Sequence, residues 1–192
     1  THTHRAGAQA FGGQFPDPVD VAGGGGFAID RTLPHHPKPQ TGVRHEAGHW
    51  HWQEYVLPDS IRLTQFRELF GDEQRDYATS LEAHYNSVDD GSWSINFLSH
   101  YASAHPWEDY AETFAHLLHL TDTLETARSE GLALPAWGTP AQRYQQWIDV
   151  TVSLNELSRS MGMSDLYPFA PPPTAINKIL FLAGIIPAVN LA

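Results

Sequence analysis

The chain contains no cysteine, which excludes disulfide cross-links and thiolate metal ligands. It is also short of positive charge: 11 Lys and Arg stand against 22 Asp and Glu, a formal net charge of −11. A nucleic-acid backbone or an anionic lipid surface demands a basic face, so neither is an expected partner. A neutral or cationic substrate is easier to admit. No apolar run is long enough to make a spanning helix. The most apolar stretch, 176–192, is broken by Lys178, Pro187 and Asn190 and reads as a terminal helix docked on the core. What remains, 192 residues with 41% apolar and 11% aromatic content, is one globular domain's worth of sequence.

Histidine is plentiful, with 12 in the chain, and two stand in the run His45-Glu46-Ala47-Gly48-His49. In a helix, residues four apart lie about 40° apart around the axis and about 6 Å along it, so both imidazoles can reach one metal ion. Glu46 is offset by about a quarter turn, which suits it to general-base work and leaves metal coordination to other side chains. His45, His49, Trp52 and Val56 share one helical stripe, so the imidazoles sit beside apolar groups and need partners. The plain alternative is two surface histidines on an amphipathic helix.

A catalytic zinc site takes three protein ligands and keeps one position open. A third histidine at the extended-motif position is ruled out, because Trp52 and Tyr55 stand where Gly and His are required. A carboxylate from another helix is the natural third ligand. Pro106 is placed to open such a helix, with Glu108 and Asp109 in its first turn. Phe114, Leu117, Leu118 and Leu124 then continue along one face, and Glu108, Glu112, His116 and His119 lie on the opposite one. A solvated polar face would have the same pattern.

The combination of HExxH with a distant Glu-x-x-Ala-Glu, here Glu108 to Glu112, resembles the glutamate-zincin metallopeptidases, in particular the branch that includes the anthrax lethal-factor catalytic domain. The resemblance implies Glu108 as ligand and Glu112 as the carboxylate orienting a ligand histidine. It also implies an oxyanion-stabilising role for Tyr101, which stands seven residues before Glu108; otherwise Tyr101 is a core aromatic. The segments Arg44 to His49, Phe66 to Glu73, His105 to His116, Ser158 to Gly162 and Asp165 to Pro168 are similar to a bacterial family of zinc-binding metallopeptidases, from about Gly42 to Ile185. Many members carry a Cys-rich zinc ribbon, which this cysteine-free chain lacks. The expected compartment is the bacterial cytoplasm rather than the exterior, and a chain beginning at Thr1 suggests a processed N-terminus.

Residues 1–41 are rich in Gly and Pro and read mostly as loop, with Phe27, Ala28 and Ile29 as a candidate edge strand. An edge strand ahead of the HExxH helix would bind extended peptide by strand addition. From residue 42 helices are expected near 42–57, 60–70, 73–87, 92–103, 106–130, 140–161 and 174–185, in a single helical domain over 42–192. His105, beside Tyr101, is a candidate electrophile, and His116 could orient Glu108 or bind a second metal. His2, His4, His35, His36, His51 and His84 read as surface or packing residues.

The expected molecule is therefore a mainly α (α+β) zincin-like domain holding one Zn²⁺ through His45, His49 and Glu108, with Glu46 as general base, Tyr101 at the oxyanion, and a peptide substrate. Two rival readings stand beside it. One is a zinc enzyme acting on a non-peptide amide or a small biosynthetic substrate; the other is a non-catalytic zinc-binding module.

Overall fold

The computed structural model describes residues 39–136, 138–167 and 170–186, all within one compact unit, Pro37–Ala192. Six α-helices follow in order: α1 (Pro39–Tyr55), α2 (Ser60–Phe70), α3 (Tyr77–Asn86), α4 (Pro106–Ser129), α5 (Pro140–Ser160) and α6 (Pro173–Ile185), with two 3₁₀ turns at Ser92–Ile95 and Tyr101–Ser103. There is no strand among the described residues, and the candidate edge strand at Phe27, Ala28 and Ile29 lies outside them. No helix among them is long and apolar enough to cross a membrane.

Local chemistry sets most boundaries. The Asp59 carboxylate accepts from the N–H groups of Ile61 and Arg62 and opens α2. Asp76 accepts from the Thr79 N–H at 2.7 Å, so α3 begins at Tyr77 rather than at 73. A capping box, Thr139 with Gln142, opens α5 behind Pro140. The expected helix over 92–103 is instead the two short 3₁₀ turns. Gly91 enters the first in the left-handed region (φ 76°) and Asn96 ends it, so the α-type ladder is never propagated.

Helix α4 is the central element, packed against α1, α2, α5, α6 and the second 3₁₀ turn. Tyr110, Phe114, Leu117, Leu120 and Leu124 meet Trp52 and Val56 from the α1 side, Phe66 and Phe70 from α2, Trp147 and Val150 from α5, and Ile179 and Leu182 from α6. A helix surrounded in this way has no solvated side near its start. The polar face expected for Glu108 and Glu112 is accordingly turned into the protein, with Glu108 only 1% exposed.

The crossing of α1 and α4 depends on one glycine. A Cβ at Gly48 would lie 2.8 Å from the Ala111 Cα and 3.1 Å from the Phe114 Cβ. The two helices can approach this closely only because position 48 has no side chain, and position 48 lies between the two histidines while Ala111 lies between Glu108 and Glu112. Gly48→Ala gains about 1 kcal/mol of helix propensity, but the overpacking costs about 1–3 kcal/mol and must be relieved by moving backbone. The expected net result is a destabilisation of up to about 2 kcal/mol. Gly184→Ala is the control, because a Cβ there meets nothing within 4 Å, and it should be neutral or stabilising by up to about 1 kcal/mol. Urea denaturation of both variants checks this; equal behaviour of the two would contradict the tight crossing.

At the other side of α4, Lys178 of α6 is 5% exposed and its ammonium lies 2.6 Å from the Asp109 carboxylate and 3.2 Å from the Asn96 carbonyl. The charge that interrupts the apolar C-terminal stretch is thus an internal tie between α6 and the start of α4. Of the two settings expected for His51, surface or packing, it takes the packed one, buried with Nδ1 2.8 Å from the Tyr110 hydroxyl. Burial, assisted by the Arg62 charge, holds its pKa down at about 4. It therefore packs as a neutral imidazole at neutral pH.

Candidate metal centre

The close α1–α4 crossing brings three donors to one point. His45 Nε2 lies 2.9 Å from Glu108 Oε2 and 3.0 Å from His49 Nε2, and His49 Nε2 lies 3.5 Å from the same carboxylate oxygen. Donors bound tetrahedrally at zinc's bond lengths stand about 3.3 Å apart. The three sides of this triangle bracket that spacing, and two imidazoles with one carboxylate are the ligand types zinc takes. Among the described residues this is the only group of three or more such side chains that could hold a metal ion.

The surroundings fix how these donors face. His45 donates through Nδ1 to Glu112 Oε1 at 2.7 Å, which leaves Nε2 to point at the other two donors. Glu112 is held in turn by the Ser99 hydroxyl at 2.8 Å, and that hydroxyl accepts from the Ala102 N–H in the turn carrying Tyr101. The His49 ring lies against Trp107, with centroids 4.1 Å apart. Its Nδ1 is buried with no hydrogen-bond partner among the described residues. The Tyr77 hydroxyl donates to Glu108 Oε1 at 2.6 Å.

Three electron-rich atoms at this distance need a cation or protons between them. Burial works against a charged His45, but hydrogen bonds to Glu108 and Glu112 and their negative charge outweigh it and raise its pKa to about 9. Burial would likewise lift Glu108, and the hydrogen bonds from His45, His49 and Tyr77 reverse this and hold the carboxyl below the usual range. The metal-free chain therefore keeps a proton on His45 at neutral pH. A cation bound to Nε2 must displace it, so metal affinity should fall as pH drops below about 9. At pH 7.5, zinc titrated calorimetrically in buffers of different ionisation enthalpy should release about one proton from this residue. Release of none would contradict a protonated His45.

The remaining sequence-derived candidates fall in different places. Glu46 is exposed on the α1 surface, one residue beyond His45. The Tyr101 ring lies 5.8 Å from the His45 ring, and its hydroxyl interacts with that of Tyr77; burial pushes its pKa upward, and the Glu108 charge adds to the shift. His105 is not turned to the donors. It caps α4, with Nδ1 accepting from the Trp107 N–H at 3.1 Å and Nε2 donating to the Arg75 carbonyl at 3.1 Å. His116 lies eight residues beyond Glu108, about 12 Å along the helix axis, with Nε2 3.2 Å from the Tyr167 hydroxyl and its ring against Trp147. It is therefore not a partner of Glu108 there.

Sequence reasoning missed Tyr77 and Trp107. Neither has a local signal: Tyr77 follows the helix-capping Asp76 as any first-turn residue does, and its partner is 31 positions away.

Among known proteins, an uncharacterized protein of Mycobacterium bovis is 40% identical over 155 residues, covering 76% of this chain and 46% of that protein. An uncharacterized protein of Mycobacterium tuberculosis matches to the same extent. The chain spans about half the length of these curated relatives. No solved structure gives a significant match. Residues 32–185 match the family described as "Putative zinc-binding metallo-peptidase". That stretch contains the whole of α1 and α4, and with them all three donors; the chain belongs to this family.

Proposed function

We propose that the chain is a zinc-dependent peptidase of the glutamate-zincin type, with His45, His49 and Glu108 as the metal ligands. The observation that carries the proposal is the convergence of the two Nε2 atoms and one Glu108 oxygen, with Glu112 fixed behind His45. A purely structural metal has no use for a free carboxylate beside its ligands, and Glu46 stands next to His45 with its side chain exposed.

His45, His49 and Glu108 would hold a zinc ion, which would supply Lewis acidity to polarise a substrate carbonyl and to make water a better proton donor. Glu46 takes the proton from the attacking water and hands it to the leaving amine, so that one carboxylate serves as base and then as acid. The Tyr101 hydroxyl stays protonated throughout the physiological range, since burial disfavours its anion, and donates to the developing oxyanion. Glu112 holds the His45 ring in one tautomer and one orientation. The resemblance to the lethal-factor branch supports the assignment of Tyr101 and of Glu112 in these roles.

The test is incubation of the zinc-loaded chain with a mixed peptide library, with and without a chelator. Cleavage that stops with chelator and returns on adding zinc is the expected result. Stoichiometric zinc without cleavage of any peptide would overturn the peptidase reading and favour a small amide or other carbonyl substrate.

A further inference from the structure

Glu108 uses only one of its two oxygens toward the histidines. Oε2 faces His45 and His49, while Oε1 accepts the Tyr77 hydroxyl at 2.6 Å. A carboxylate free at both oxygens can chelate, and with two histidines that would fill four positions and close the site. From this geometry we infer that Tyr77 is a positioning residue that holds Glu108 to one-oxygen ligation and thereby keeps a coordination position open for substrate. The inference rests on the metal-ligand assignment proposed above.

The hydroxyl is well placed to do this. A short O–H donor to an ionised carboxylate is among the stronger hydrogen bonds a protein makes. The Tyr77 ring is held by edge-on contacts to His105 at 5.3 Å and Trp107 at 5.8 Å. Asp76 caps α3 and sets Tyr77 at its first turn. Helix α3 buries none of its own residues, so burial in the core is not what selects a tyrosine at its first position. Phenylalanine would make the same ring contacts, and the hydroxyl is the part that reaches the metal centre.

Tyr77→Phe removes that hydroxyl alone. The probe is Co²⁺ loaded into the full chain, read by its visible absorption, with azide titrated as a ligand for the open position. The wild type should give a spectrum that azide perturbs. Tyr77→Phe should still bind one cobalt, but with an altered spectrum and azide affinity lowered by about tenfold or more. Tyr85→Phe, a hydroxyl loss on the same helix at an exposed position, should match the wild type, and far-UV circular dichroism confirms that each variant is folded. An unchanged spectrum with azide affinity within twofold of wild type would overturn the inference. Failure of the wild type itself to take up metal would overturn the ligand assignment, and the inference with it; the two failures are thus distinguishable.

Discussion

Glu46→Gln should lower peptide turnover by about 10²–10⁴-fold while leaving bound zinc at the wild-type level. Glutamine has nearly the same shape as glutamate but cannot accept a proton at neutral pH. The substituted side chain is exposed and lies outside the His45, His49 and Glu108 triangle, so the donors and the fold are untouched. The loss should therefore fall on kcat, with substrate affinity changed by no more than a few-fold. Steady-state cleavage of a peptide found in the library screen, with metal content measured on the same samples, separates the outcomes. Turnover within a few-fold of wild type would place the base elsewhere; loss of zinc together with turnover would make Glu46 a ligand or a structural residue.

At pH 8, Lys178→Met should destabilise the chain by about 3–5 kcal/mol, because the buried Asp109 carboxylate loses its counter-charge and must take up a proton to stay in the interior. Both side chains are nearly inaccessible, at 6% and 1%. Burial already lifts the Asp109 pKa to about 7, against the pull of Lys178. Without the ammonium it rises further, and the folded state keeps Asp109 protonated over a wider range. A carboxyl whose folded pKa lies above its unfolded value contributes stability that is lost as pH rises through the folded pKa. The gap between wild type and Lys178→Met in urea denaturation should therefore be wider at pH 8 than at pH 5. Adding Asp109→Leu to the same chain removes the stranded charge and should recover most of the loss. A single-variant loss below about 1 kcal/mol would show that the pair is better hydrated than its burial indicates.

What the sequence disclosed, it disclosed through short-range geometry. The spacing of His45 and His49 is a property of one helix, and so is Pro106 at the start of α4. Glu108 was reachable because a family pattern stood in for the missing three-dimensional information. Tyr77, Trp107 and the pairing of Lys178 with Asp109 were not legible, since each acts across a contact between helices separated by tens of residues. The segment 92–103 shows the opposite error: its apolar residues recur at helical spacing, yet Gly91 and Asn96 break the ladder at short range. Spacing locates the polar stripe of α4, and only its combination with the HExxH run favours a metal-bearing face over a solvated one. Periodicity separates the two faces of a helix and cannot tell a wet polar face from one folded around a metal site. Gly48 carried a usable signal, an interior helical glycine that costs about 1 kcal/mol and so calls for a packing reason, and Ala111 supplies it.

The most direct test of the account is the zinc content of the purified chain and of Glu108→Ala, measured by mass spectrometry after dialysis against a weak chelator. The expected result is about one zinc per wild-type chain and almost none in the variant, with both folded by circular dichroism. Equal zinc in the two proteins, or none in either, would contradict a metal centre built from His45, His49 and Glu108.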